Sequence, residues 1–167
     1  MAQGQPPAGF VRVFRSAVAA SPEEVWAVVS TMDGVNAELG PWIRMTHPSH
    51  LRSLADAPVV EGQVLFPSWL LAGGVLPIDR HALGLERVDP GVGFAEASTS
   101  WLQRRWRHQR RLTPLPGGGC LVADRLEVEP RVPIATPLVA RIVTALFEHR
   151  HRRLRARFGD AGGHQAP

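Results

Sequence analysis

The sequence predicts an α+β fold in which a curved antiparallel sheet wraps around one long C-terminal helix. Three observations predict it. The run TPLVARIVTALFEHRHRRLRARF carries Thr136 as an N-cap, Pro137 as a first helical residue and Gly159 as a stop. Upstream, turn residues cut the chain into five extended runs. A further extended run and two short helical segments open the chain.

Each element has a local cause. Residues 10–18 alternate as a strand does. Ser21-Pro22-Glu23-Glu24 supplies an N-cap, a first-turn proline and two acids at the positive end of a helix dipole. Val25, Trp26, Val28 and Val29 give that helix its buried side. Asp33 is the expected cap of a second helix over 34–39, ended by Gly40-Pro41, and 42–46 is extended again. The five strands are expected at 63–71, 76–88, 93–101, 104–112 and 120–128. Gly73-Gly74, Asp89-Pro90-Gly91 and the stretch 114–119 supply turns between them. The closing helix, ~34 Å long at 1.5 Å per residue, gathers Leu138, Val139, Ile142, Val143, Leu146, Phe147, Leu154 and Phe158 on one half of its wheel. Arg141, Thr144, Glu148, His151, Arg152 and Arg155 fill the other. An amphipathic helix of this length needs a broad apolar surface. A sheet gripping it forms a container for a small ligand.

Composition narrows the classes. The length of 167 residues, with 44% hydrophobic and 20% charged residues, suits one globular domain over 10–159. Disordered tails are expected at 1–9 and 160–167. All 19 basic residues are arginine, and a net charge of +4 neither demands nor excludes an anionic partner. Cys120 stands alone, so no internal disulfide forms. The opening MAQGQPPAGF lacks the basic start and apolar core of a signal peptide. Both facts point to the cytoplasm. The longest uncharged run, 62–78, is interrupted by Pro67, Gly73-Gly74 and Pro77 and is too short for a membrane span.

The opening strand, the segment ASPEEVWAVVSTMDGVNAEL and the closing FEHRHRRLRARFG resemble the START-type, polyketide cyclase and lipid-transport superfamily, in a bacterial branch of it. The likeness covers nearly the whole chain in element order. It implies the helix-grip fold, with a cavity between sheet and helix. Its members bind lipids, hormones or polyketides, and a few are cyclases or dehydratases. No catalytic motif is shared across the superfamily, so no catalytic residue carries over.

Strand parity selects the candidate site. A hairpin around 116–119 with paired numbers summing to 232 puts Trp106, His108, Arg110 and Leu112 on one face with Cys120, Val122, Asp124 and Leu126. That face holds nearly all the hairpin's apolar residues and is expected inside. His108 then opposes Asp124. The pair reads either as a structural hydrogen bond between buried polar groups or as an acid/base couple, which makes His108 and Asp124 the catalytic candidates of a cyclase/dehydratase-like enzyme. Arg150 interrupts the apolar stripe of the last helix. It is expected to pair with an internal carboxylate such as Asp124, to snorkel outward, or to hold a ligand's acid group. Asp79 and His81 share a face with Leu83 and Leu85. Trp69 and Trp101 are candidate cavity walls, with Ala95, Ala97 and Thr99 on the face of Trp101. The ligand-binding set is therefore Trp69, His81, Trp101, Trp106, His108, Arg110, Asp124, Leu146 and Arg150, around a cavity lined by Trp106 and Leu146. The two short helices and residues 42–54 are expected at its mouth.

Other signals are negative. RRWRHQRR has the look of a nucleic-acid stripe, but Trp106 has the opposite parity to Arg105, Arg107, Gln109 and Arg111. A solvated sheet face, partly neutralised by Glu127 opposite Arg105, is the better reading, so no nucleic-acid partner is expected. His149 and His151 face different directions on a helix and make no metal site. No cofactor motif occurs, and Gly117-Gly118-Gly119 is a turn. The uncharged segment 68–76 is expected to pack in the core; if its tip projects instead, it can touch a membrane or a partner. An interaction module built on the basic end of the helix is a further reading.

Overall fold

The computed structural model describes residues 8–161. β1 (Phe10–Val18) leads to two short helices, α1 (Pro22–Val29) and α2 (Met32–Leu39). A short β2 (Ile43–Met45) follows. Then come β3 (Phe66–Ala72), β4 (Leu76–Leu83), β5 (Leu85–Asp89), β6 (Gly93–Ser100), β7 (Gln103–Pro114) and β8 (Cys120–Pro130). The chain closes with α3 (Thr136–Phe158), 23 residues long. All strands are antiparallel, in the order β1-β8-β7-β6-β4-β3-β2, with β5 beside β6. The sheet curls around α3, which packs chiefly on β1 and α2. This is the α+β helix-grip architecture.

Local chemistry sets the helices. Ser21 caps α1, accepting from the Glu24 amide at 3.3 Å while the Glu24 carboxylate accepts from the Ser21 amide at 2.8 Å. The cap of α2 is Thr31, not Asp33. Its hydroxyl oxygen accepts from the Gly34 amide at 2.9 Å, and Asp33 lies in the first turn. Gly34 lets the two helices touch, since a Cβ there would sit 1.9 Å from the Val28 carbonyl oxygen. Thr136 is inside α3 rather than its cap. The cap position is Ala135, without a side-chain bond, and the Thr136 hydroxyl donates to the Ala8 carbonyl at 3.2 Å. At the far end the Ala19 amide donates to the Gly159 carbonyl at 3.1 Å.

Two strand expectations change. The run 76–88 splits at Gly84, whose amide donates to Ser98 Oγ at 3.1 Å and where a Cβ would meet the Ala97 carbonyl at 2.6 Å. β4 then belongs to a wing, β2-β3-β4, joined to the rest of the sheet by the pairs His81↔Ser100 and Ala82↔Thr99. The β7–β8 register pairs Arg110 with Asp124 and His108 with Leu126, summing to 234 rather than 232. Glu127 accordingly opposes Arg107 rather than Arg105. β7 runs on to Pro114, paired with Cys120, which shortens the loop to 115–119. A shift of two residues preserves parity, so the inward face stays as read.

The core has two parts. Val18, Val25, Met32, Leu54, Phe66, Leu85, Leu112, Val122 and Leu154 form the larger one. Leu126, Val128, Val143 and Phe147 form the smaller. Of the expected tails, 1–7 and 162–167 lie outside the described residues. Where described, both flanks touch the domain, Ala8 through Thr136 and Asp160 through a bridge to Val18. Among the described residues, no helix is long and apolar enough to cross a membrane.

Candidate functional site

The inward faces of β6, β7 and β8 meet α2 and the middle of α3 in a buried cluster of ionisable groups. Asp124, with no exposed surface, stands at its centre. Arg110 donates to it through Nε at 2.8 Å and an Nη nitrogen at 2.7 Å. His108 Nε2 lies 2.9 Å from one carboxylate oxygen and His151 Nε2 lies 3.0 Å from the other. Arg110 also forks onto Glu38 at 2.6 and 2.9 Å. Arg150 donates to the same Glu38 through Nε at 3.0 Å. On the other side His81 Nε2 and Ser98 Oγ each lie 2.7 Å from Glu96 Oε1, and Glu96 Oε2 is 3.7 Å from His108 Nδ1. At the outer end His151 Nδ1 meets Ser16 Oγ at 2.8 Å, and Arg155 donates to that hydroxyl at 2.7 Å.

Charge balance explains why the cluster survives burial. Burial alone raises a carboxyl's pKa, because it penalises the charged form. Around Asp124, Arg110 and His108 overcome that penalty and hold the carboxyl well below its usual range. Arg110 and Arg150 do the same for Glu38, against burial and the nearby Asp124 charge. For Glu96, hydrogen bonding to His108 and His81 outweighs burial and again lowers the pKa. Arg110 is correspondingly raised, with Asp124 and Glu38 overcoming its own desolvation. Three carboxylates thus face two arginines and three histidines. The two ring nitrogens of His108 face Asp124 at 2.9 Å and Glu96 at 3.7 Å.

Aromatic rings fill the space beside the cluster. Phe147 is fully buried and meets the edge of His108 at 5.2 Å between ring centres, while Arg150 lies over its face at 4.7 Å. Phe94 meets His108 at 5.1 Å, and Trp106 contacts both Phe147 and His81. Trp106, expected to line a cavity with Leu146, packs on Phe147 and His81, and two pockets lie elsewhere. One, of about 240 Å³, sits between α2 and the end of α3, with Ala37, Leu154 and Phe158 in its walls. The other, of about 280 Å³, lies between β1 and α3, with Phe14, Arg15 and Arg155 in its walls.

Beyond the cluster, one flank of α3 turns toward the wing. Leu138, Ile142 and Leu146 form a row on one flank of α3. Leu138 is 60% exposed and Ile142 58% exposed. Farther down the same flank, His149 stacks on Trp42 at 4.3 Å and Arg153 donates to the Ala37 carbonyl at 3.1 Å. Trp42 leads into β2, so this flank faces the wing. The wing answers with Ile43, Met45, Leu70 and Ala72, all half-buried, paired in register so that they share a face with buried Asp79. Gln103 lies on the inward face at the same end of the sheet, opposite Pro130. Its Oε1 is the buried side-chain polar atom without a partner among the described residues.

A family model described as "Domain of unknown function (DUF8410)" matches residues 16–158. The chain belongs to this family. A search of curated proteins finds no match. Solved structures share the fold. Protein CV1439 from Chromobacterium violaceum is 16% identical with a TM-score of 0.66, covering 89% of this chain and 97% of that one. A START superfamily protein from Mycobacterium smegmatis is 16% identical with a TM-score of 0.62, covering 89% and 96%. Ara h 8.0201 is 11% identical with a TM-score of 0.54, covering 89% and 99%. The START-type helix-grip fold is thereby shown for this DUF8410 chain, as the sequence resemblance implied.

The sequence-selected residues divide. His108, Arg110, Asp124, His81 and Arg150 come together in the cluster, and Trp106 lies beside it. His108 reaches Asp124 diagonally, because Arg110 is the residue directly opposite. The partner of Arg150 is Glu38, not Asp124. Leu146 is half-buried on the flank of α3 that carries Ile142. Trp69 and Trp101 point away from the interior. They meet edge to face at 5.1 Å, with Arg80 over Trp69. The inward residues of β6 are Phe94, Glu96, Ser98 and Ser100, not Ala95, Ala97 and Thr99, because Trp101 lies past the strand's end and misleads the parity. His151, expected on the solvent side, is buried, whereas Leu138 and Ile142 are not. The helix is rotated toward the ionic cluster, which a purely apolar wheel does not anticipate. Glu38, Glu96 and Gln103 were missed. Alternation from Phe94 would have found Glu96. Glu38, a lone acid on a short helix, carries no local signal.

Proposed function

We propose that this protein binds a small, largely apolar molecule of lipid-like or polyketide-like character in the cleft between α3 and the β2-β4 wing. The uncovered row Leu138–Ile142–Leu146, facing half-buried apolar side chains of the wing, carries the reading. Covering it would contribute about 25 cal/mol per Å² of apolar area. The orphaned acceptor of Gln103 supports a ligand with one hydroxyl or amine donor. The ionic cluster beneath is a rigid floor. A cytoplasmic setting suits the buried Cys120 thiol.

The rival reading is turnover, with His108 and Asp124 as an acid/base pair. Asp124 accepts four hydrogen bonds within the cluster and is wholly buried, so it has no lone pair directed at a substrate. That favours binding over chemistry. Titration with 1-aminoanthracene, a flat apolar amine, tests the proposal by fluorescence. Saturable one-to-one binding is expected, weakened about tenfold by Ile142→Asp and unchanged by Arg107→Ser on the outer face. Gln103→Leu should weaken the amine but not anthracene itself. Equal affinities in wild type and Ile142→Asp would overturn the cleft as the site.

A further inference from the structure

The turns at one end of the sheet carry an unusual load of exposed apolar side chains. Trp101 and Leu102 occupy the β6–β7 turn, exposed 61% and 53%. Val132 and Ile134 lie on the chain leaving β8, exposed 58% and 90%. The two segments are adjacent, because the Arg131 amide donates to the Leu102 carbonyl at 3.0 Å and Arg131 Nε to the Ser100 carbonyl at 2.8 Å. Trp69 of the wing joins them through its edge contact with Trp101. Beyond Trp69, the β3–β4 tip projects rather than entering the core, with Val75 81% exposed. The apolar surface is thus continuous across three separate chain segments.

Its shape and charge select the partner. The apolar groups sit on separate turns with Ile134 and Val75 nearly bare, which is a set of projecting points rather than a flat face. Points of this kind enter a fluid acyl layer, whereas a rigid protein interface needs a complementary packed surface. Trp101 and Trp69 bring rings that settle at headgroup depth. Arg80 lies over Trp69, Arg131 bonds the Ser100 carbonyl, and Arg104 and Arg105 follow the β6–β7 turn. The acids in the same segments are Asp79, which is buried, and Glu129, which is paired with Arg104 and Arg105. The collar is therefore positive, as an anionic lipid surface requires.

We infer that this end of the molecule docks peripherally on anionic membranes, inserting the Trp101–Leu102 and Val132–Ile134 turns while the arginine collar meets the headgroups. The inference stands apart from the cleft reading, since none of the inserted residues lies in the Leu138–Ile142–Leu146 row.

Flotation of the full chain with phosphatidylcholine vesicles, with and without 30 mol% (about one lipid in three) phosphatidylserine, tests it. The wild type should float with the anionic vesicles and less with the neutral ones. Trp101→Ser combined with Ile134→Ser should reduce flotation at least about tenfold, and Arg80→Glu should reduce it severalfold with a weaker salt dependence. The variants change exposed positions only, and an unchanged melting temperature checks their folding. Equal flotation of wild type and double variant, or none by either, overturns the inference. So does a wild-type dimer that the double variant converts to a monomer, because the surface then belongs to a second copy.

Discussion

The two halves of α3 live under opposite rules. From Phe147 to Leu154 the helix presses Arg150 and His151 into the interior, where each finds a carboxylate at 3.0 Å. From Leu138 to Ile142 the same helix leaves large aliphatic side chains in water. A domain governed by burial alone would do the reverse. The polar interior is stable because every charge in it is answered, and breaking one such partnership leaves its mate stranded. The apolar flank is tolerated because isolated exposed aliphatics cost little. The lower half is thus fixed by its own contacts, and the upper half is left complementary to something outside the chain.

The strongest way to break this contrast is to empty the centre of the cluster. Asp124→Ala strands Arg110, His108 and His151, and should destabilise the fold by about 3–5 kcal/mol in urea denaturation. A loss below about 1 kcal/mol would mean the cluster is far wetter than its burial implies. His108→Ala comes next. It removes one partner each from Asp124 and Glu96, and about 1–3 kcal/mol is expected, seen as a lower melting temperature. Acid sharpens the same point. Glu38, Glu96 and Asp124 all have folded pKa values below their unfolded ones. Their stabilisation is therefore complete above the unfolded carboxyl range near pH ~4 and is lost as pH falls through the folded values. Melting temperature should decline steeply below pH ~4, and Asp124→Asn should flatten that slope; an unchanged slope would place acid sensitivity elsewhere. The smallest effect belongs to the upper half. Ile142→Ser should alter stability by no more than about 0.5 kcal/mol while weakening binding of the apolar probe. A cost like that of a core residue would show the cleft to be closed in solution.

Much of the fold was legible because its signals are local. The N-cap at Ser21, the turn glycines and the extent of α3 depend on neighbours in sequence. The β7–β8 face was legible although its register was not, since a two-residue slip leaves parity intact. Gly93 illustrates what such reading leaves implicit. Its φ of 151° and a would-be Cβ 2.0 Å from the Arg110 carbonyl oxygen leave room for no side chain. The site was less legible because its partnerships are distant. Glu38 lies 72 residues from Arg110 and 112 from Arg150. Neither spacing belongs to any helix or strand period, so only the assembled fold reveals the match. Hydrophobicity also hid His151, which reads as a surface residue until Asp124 is placed beneath it.

The pinning of α3 at both ends has a mechanical consequence. Thr136 ties its start to Ala8 and Gly159 ties its end to Ala19, on the two flanks of β1. The helix is a beam clamped to the sheet and cannot swing as a flap. The wing, by contrast, is held at two edges: it joins β6 at the seam His81↔Ser100 and Ala82↔Thr99, and β2 is tied to α2 by the Asn36 side chain, which bonds the Met45 backbone at 2.7 and 3.0 Å. Any parting of wing and helix strains both attachments, and the 2.7 Å contact of His81 with Glu96 crosses the first of them. Amide exchange should be faster in β2 and β3 than along α3, and faster still in His81→Ala. Admission of a guest would thereby be governed from a buried histidine that the guest need never touch.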